Sequence, residues 1–342
     1  MIKPEEIWWR RVPIAASFIE QCISEAKEFI PSYVYSASLP WAEQFLRITK
    51  RVIRDKSQDF KVYTVNGADY DPARHLRILD LMVEQIGGFS DYDSTIESIG
   101  VELNSRMIFF LVKAVSEVQL LELKNIAWEA KEHDIYLRLI VQTDIESDQV
   151  PETKHFRYYT NDINFFILNL LLEKNSTDLL TYKAWLATLL SVHDAEKAAA
   201  CCNEIDNCVY DPQRVCAWLS TQQVMDLEYK AQLRYIMPEL ESARLNFCRK
   251  IKGGLAQNAL PYSERISGTE YVYNRVEELE FRHLWFFHRK VNPCLALTQD
   301  EKDQLEVLYN ARNDLAHLRK LEVQRLRDVK DICDDLEKRA RV

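Results

Sequence analysis

Three runs of β-forming residues constrain this chain more than any other feature. Phe60 to Val65 alternates as Phe-Lys-Val-Tyr-Thr-Val, Met107 to Val112 is almost continuously apolar, and Ile135 to Gln142 is rich in Ile and Leu. Between them lie stretches with helical apolar spacing, His75 to Ile86 and a longer one ending at Ala130. Strands that recur across helical crossovers pair in parallel, and a parallel sheet needs helices on both faces. The pattern predicts a small α/β domain over residues 59–160, with Phe156 to Thr160 as a fourth strand.

That order resembles a P-loop NTPase of the AAA+ or STAND kind. Such a protein carries a Gly-rich loop with a Lys after its first strand, because backbone amides must wrap the phosphates and the ammonium must reach them. The stretch in that place is Gly67 to His75. With Gly67 set on the first Gly, Pro72 stands at the second, Ala73 at the Lys and Arg74 at the Ser or Thr. Asp69 and Asp71 add negative charge. After the second run come Lys113 and Ala114, where an Asp should hold magnesium, and Glu117 is remote from that place. The expectation is either a pseudo-NTPase or an unrelated α/β module: not an ATPase, without cofactor or metal, and suited to binding a protein partner.

The rest of the chain reads as helical. Seven Gly and ten Pro in 342 residues argue for long helices with few tight turns, and 47% apolar content can bury the cores of two domains. One helix is expected over Glu5 to Ile30, with Trp8 and Trp9 assigned to packing rather than to a partner, and another after Pro40. Asp162 to Leu219 breaks into several amphipathic pieces, a helical lid or linker. The domains expected are therefore 1–58, N-terminal helices; 59–160, the α/β module; 161–221, the lid; and 222–342, a helical bundle. MIKPEEIWWRR carries no readable secretory signal, and Ile163 to Leu172 is too short to cross a bilayer, so a cytoplasmic protein without membrane insertion is expected. Eight Cys without CxxC spacing read as reduced thiols. Cys201, Cys202, Cys208 and Cys216, with His193 near in sequence, are a candidate metal cluster, but small core residues are the preferred account.

Charge divides unevenly. Residues 222–342 carry 21 Lys and Arg against 20 Asp and Glu, whereas the first 221 carry 23 against 33. Contact with RNA is therefore expected only in the C-terminal part, and only locally. Four helices are expected there: Gln222 to Lys250, Thr269 to Lys290, Gln299 to Leu318 and Leu321 to Ala340. Gly253-Gly254 and Asn292-Pro293 are the breaks, and Thr298 with Glu301 forms a capping box.

Within the third helix, Leu308 to Leu318 reads LYNARNDLAHL. Arg312, the polar Asn313 and His317, with four residues between Arg and His, resemble the RX4–6H motif of the HEPN superfamily. A second instance of the spacing runs from Arg282 to His288. The resemblance covers roughly the last 120 residues. It implies a HEPN-like four-helix bundle and, in an active member, a homodimer cleaving RNA without metal in a bacterial defence or toxin-type system. His317 would then help move the proton of the 2′-hydroxyl, Arg312 stabilise charge on the phosphate and Asn313 orient the His or the phosphate. The residues also admit a non-catalytic adaptor. Leu305, Leu308, Arg312 and Leu315 form a stripe that assigns Arg312 to the core, where Glu277 or Glu280 could pair with it, and His317 could cap its helix.

Overall fold

The computed structural model describes residues 2–26, 30–57, 59–71, 77–87, 94–101, 107–145, 153–176, 178–258, 260–290 and 297–340. The chain divides into two compact units, Met1–Lys174 with His193–Ala199, and Asn175–Val192 with Ala200–Val342. The N-terminal helices thus belong to the α/β unit, and most of the expected lid belongs to the second unit.

In the first unit α1 (Pro4–Arg11) and α2 (Pro13–Glu25) precede β1 (Ser32–Tyr35), α3 (Ala42–Lys56) and β2 (Lys61–Asn66). Then come α4 (Ile78–Gln85), α5 (Ile96–Val101), β3 (Ile108–Ala114), α6 (Glu117–Glu132), β4 (Leu137–Thr143) and α7 (Thr160–Glu173). The single helix expected over 5–30 is two, because Pro13 has no N–H to continue the first ladder and instead starts α2 at its N1 position. All four strands are parallel, in the order β1-β4-β3-β2.

β3 and β4 are buried almost throughout, as their near-continuous apolar runs require of central strands. Ile108, Phe110, Val112, Leu139 and Val141 face one core with Leu79, Met82, Leu123 and Ile126 from α4 and α6. Trp8 and Trp9 are fully buried, among Phe45, Phe156, Tyr158 and Phe166. The strand expected at 156–160 does not form. Phe156 turns its ring into that aromatic cluster and gives its N–H to the Ser38 hydroxyl at 2.9 Å, while Thr160 already begins α7. A single parallel bridge, Val34 to Lys154, stands in its place.

The second unit holds α8 (Leu180–Leu190), the end of α9 (Ala195–Asn203), α10 (Ile205–Tyr210), α11 (Pro212–Val215) and the long α12 (Thr221–Asn258). A hairpin of β5 (Tyr262–Ile266) and β6 (Thr269–Tyr273) follows, then α13 (Phe281–Lys290), α14 (Gln299–Ala316) and α15 (Val323–Ala340). Two expectations fail here. α12 runs through Gly253-Gly254 to Asn258 rather than breaking there. The helix expected over 269–290 is half hairpin, because Ser267 (φ +48°) and Gly268 (φ +89°) make a two-residue turn with both central residues left-handed, the form that matches strand twist. Tyr271 and Tyr273 are therefore strand residues. The Thr298–Glu301 capping box is present in both directions. Gln232, fully buried on α12, exchanges two 2.7 Å hydrogen bonds with the backbone of Leu321 and so anchors the α14–α15 connection.

Candidate functional site

The carboxyl ends of parallel strands form a crevice where neighbouring strands send their chains in opposite directions. β1 and β4 are such a pair. The chain leaves β1 for the far edge strand β2, whereas after β4 it returns to the outer side of β1 at Lys154. A cleft of about 450 Å³ lies there, lined by Ser36, Trp41, Glu43, Asp144 and Glu196 among others.

The first strand is thus β1, and the loop in the phosphate-binding place is Ser36 to Trp41, not the stretch from Gly67, which follows the second strand. Pro72, Ala73, Arg74 and His75 lie outside the described residues. Ser36 to Trp41 contains neither Gly nor Lys, and Pro40 has no amide hydrogen. The loop is also tied down internally. Gln142, buried on β4, donates to Ser36 Oγ at 3.0 Å and to the Ala42 carbonyl at 2.9 Å, and Trp9 Nε1 donates to the Pro40 carbonyl at 3.1 Å. The Trp41 amide at the start of α3 donates to Glu196 Oε1 at 2.6 Å. A carboxylate of the chain itself therefore occupies the positive end of α3. Glu43, Asp144 and Glu196 make the cleft acidic, and acidic linings repel phosphate.

Gly67 is needed for a different reason from the one aligned to it. A Cβ there would strike the Gln119 side chain and lie 2.6 Å from the Lys113 carbonyl oxygen. Gln119 Nε2 donates to the Gly67 carbonyl at 2.9 Å and Gln119 Oε1 accepts from Val115, so this buried amide joins the ends of β2 and β3. Lys113 and Ala114 close β3 with no carboxylate at either position.

On α14 the buried stripe is Leu305, Leu308, Ala311 and Leu315. Arg312 is not in the core, because small Ala311 takes the inward position and the longer Arg312 lies at the edge with its guanidinium reaching water. Its Nη2 donates to Glu280 Oε2 at 3.3 Å, and the two side chains are 36% and 47% exposed. His317 is the C-cap of the helix. Its N–H donates to the Asn313 and Asp314 carbonyls at 3.0 and 3.1 Å, and its side chain is exposed. Among the described residues no hydrogen bond joins the side chains of Arg312, Asn313 and His317. Asp314 takes Arg325 and Arg319 instead.

The denser polar constellation lies on the hairpin. Glu264 Oε1 accepts from Tyr273 Oη at 2.8 Å and from Arg282 Nη2 at 2.6 Å, and lies 2.8 Å from His283 Nε2. His283 is buried, and its Nδ1 accepts from the Glu280 amide, which leaves the proton on Nε2 facing the carboxylate. Burial alone would push the Glu264 carboxyl up, but the hydrogen bonds from His283 and Tyr273 and the nearby Arg282 charge hold it below the usual range. Enclosure of His283 makes this an anchor between hairpin and α13. The Ser267-Gly268 turn signal between β-rich runs was the clue in the sequence that marks this hairpin.

Two other candidates resolve as follows. Lys3, Arg10, Arg11, Arg47 and Arg51 line a cleft of about 660 Å³, but Arg10, Arg11, Arg47 and Arg51 each meet a carboxylate of Asp55, Glu173, Glu5 or Glu6. Of the four clustered cysteines, Cys201, Cys208 and Cys216 converge, while His193 pairs with the Thr160 hydroxyl. Comparison with family models and with characterised proteins finds no match to this chain. Among the described residues no helix is long and apolar enough to cross a membrane.

Proposed function

We propose that the chain is a non-catalytic adaptor, in which a nucleotide-inactive, P-loop-like α/β unit and a HEPN-like helical unit serve as binding surfaces for protein. The observation that carries this is the exposed apolar face on each of two helices of the first unit. On α6, Val118, Leu121 and Trp128 share one face and are 65%, 37% and 60% exposed; on α7, Phe165, Leu168 and Leu172 at i, i+3 and i+7 are 42%, 40% and 50% exposed. The α7 stripe is contiguous, and on α6 Lys124 and Asn125 separate Leu121 from Trp128; exposed apolar residues along a helix face suit an amphipathic helix of a partner. Occupation of the α3 N-terminus by Glu196 supports the nucleotide-inactive half of the reading.

A photo-crosslinking residue placed at Trp128 or Leu168 of the full chain tests it in the source cells. The adaptor reading expects one protein crosslinked from these positions, with no crosslink from an exposed polar control on another element such as Arg54 of α3, and no heat of ATP binding in calorimetry. Absence of any crosslink, or micromolar ATP affinity, overturns it.

Half-exposed Arg312 and exposed His317 favour one second reading, metal-independent RNA cleavage by a pair of chains whose α14 ends meet. Incubation of the chain with total RNA in EDTA decides between them. Cleavage lost in His317→Ala makes the chain an enzyme, and intact RNA leaves the adaptor.

A further inference from the structure

We propose that Cys201, Cys208 and Cys216 form a metal site that takes a thiophilic d10 cation, Cu(I) or Zn(II), through three thiolates. The residues come from three separate elements: α9, α10 and the residue that ends α11. Backbone bonds place two of them, since the Cys208 amide donates to the Glu204 carbonyl at 2.8 Å and the Cys216 amide to the Pro212 carbonyl at 2.9 Å.

Their three sulfurs all lie within 4.8 Å of one another, and Cys201 Sγ is 3.7 Å from Cys216 Sγ. Three sulfurs bonded to one ion at ~2.3 Å stand about 3.8–4.0 Å apart, in tetrahedral or trigonal geometry. One pair already has that separation, and closing the rest takes shifts of at most about 1 Å. Residue spacing also leaves this set distinct. A buried cysteine is ordinarily a small core residue, and Cys22, Cys248 and Cys333 are buried without belonging to any such group among the described residues. Three thiols meeting at one point present a ligand set that ordinary packing does not require.

Ligand chemistry narrows the guest. Three soft sulfurs select Cu(I) and Zn(II) over the hard cations Mg(II) and Ca(II). Cu(I) is satisfied by three thiolates, whereas Zn(II) would complete a tetrahedron with one ligand from outside this group. Either ion displaces three S–H protons to solvent as the sulfurs coordinate. All three cysteines are fully buried, so the ion would hold α9, α10 and α11 together.

The experiment uses the full reduced chain, stripped with chelator and titrated separately with Zn(II), with Co(II) as its spectroscopic substitute, and with Cu(I) against a competing chromophoric chelator. One equivalent per chain is expected in at least one arm, with sulfur-to-metal charge-transfer absorption, and the arm that binds identifies the ion. Cys201→Ser, Cys208→Ser and Cys216→Ser should each weaken uptake tenfold or more, while Cys22→Ser leaves it unchanged. Thiol alkylation of the wild-type chain, read by mass spectrometry, provides a test that needs no variant: bound metal should slow labelling of these three cysteines alone. No stoichiometric uptake by the reduced wild-type chain, uptake that survives all three substitutions, or labelling that metal does not slow overturns the proposal.

Discussion

Replacing Arg312 with Ala separates a surface cation from a buried structural one. The guanidinium is 36% exposed and meets an acid that is 47% exposed, across 3.3 Å. Pairs of that kind are worth about 0.2–1 kcal/mol, because water screens the attraction and ordering two long side chains costs entropy. Ala also has slightly better helix propensity than Arg, offsetting about 0.2 kcal/mol. Arg312→Ala should therefore cost less than about 1 kcal/mol, or a Tm shift below about 4 °C, at about 2–4 °C per kcal/mol for a domain of 150–250 residues. Thermal unfolding followed by circular dichroism reads this directly, and a double-mutant cycle with Glu280→Ala should return a coupling under about 1 kcal/mol. A buried guanidinium stranding its acid would instead cost about 3–5 kcal/mol. A loss of that size would refute the placement of Arg312 at the helix edge.

Gly67→Ala should destabilise the first unit by about 1–3 kcal/mol, since the new methyl meets Gln119 and the Lys113 carbonyl inside a packed junction; urea unfolding checks it. Lys320→Met should cost about 2 kcal/mol by stranding Glu228, which is 5% exposed and held at 3.0 and 3.1 Å. That is less than for a fully buried pair because Lys320 itself is 43% exposed, and Lys320→Met with Glu228→Met should recover most of the loss. Glu264 sits below its unfolded pKa, so its contribution is complete above about pH 4.3 and is lost as pH falls through the lower folded value. The Tm of the wild-type chain should therefore fall more steeply between about pH 5 and 3 than that of Glu264→Gln, and parallel curves would remove Glu264 as the hairpin's anchor.

Local sequence determined those elements whose information is local. β2, β3 and β4 lie within two residues of the apolar runs at 60, 107 and 135, and the Thr298–Glu301 pair marks the start of α14, because periodicity and capping act over a few residues. The turn at Ser267-Gly268 is local as well, and Thr269, Tyr271, Val272 and Tyr273 after it are β-formers, so the helix expected from Thr269 ran against the local signal. β1 was not legible: four residues, Ser-Tyr-Val-Tyr, carry no usable period, and only pairing with β4, about a hundred residues later, makes them a strand. Periodicity likewise could not choose between Ala311 and Arg312, neighbours 100° apart on one helix, and the fit of the small residue against the core decided it. Tertiary structure alone set Glu196 on the Trp41 amide and brought three thiols together from three elements. Contacts between residues remote in sequence depend on how whole elements pack, and no spacing within one element encodes that.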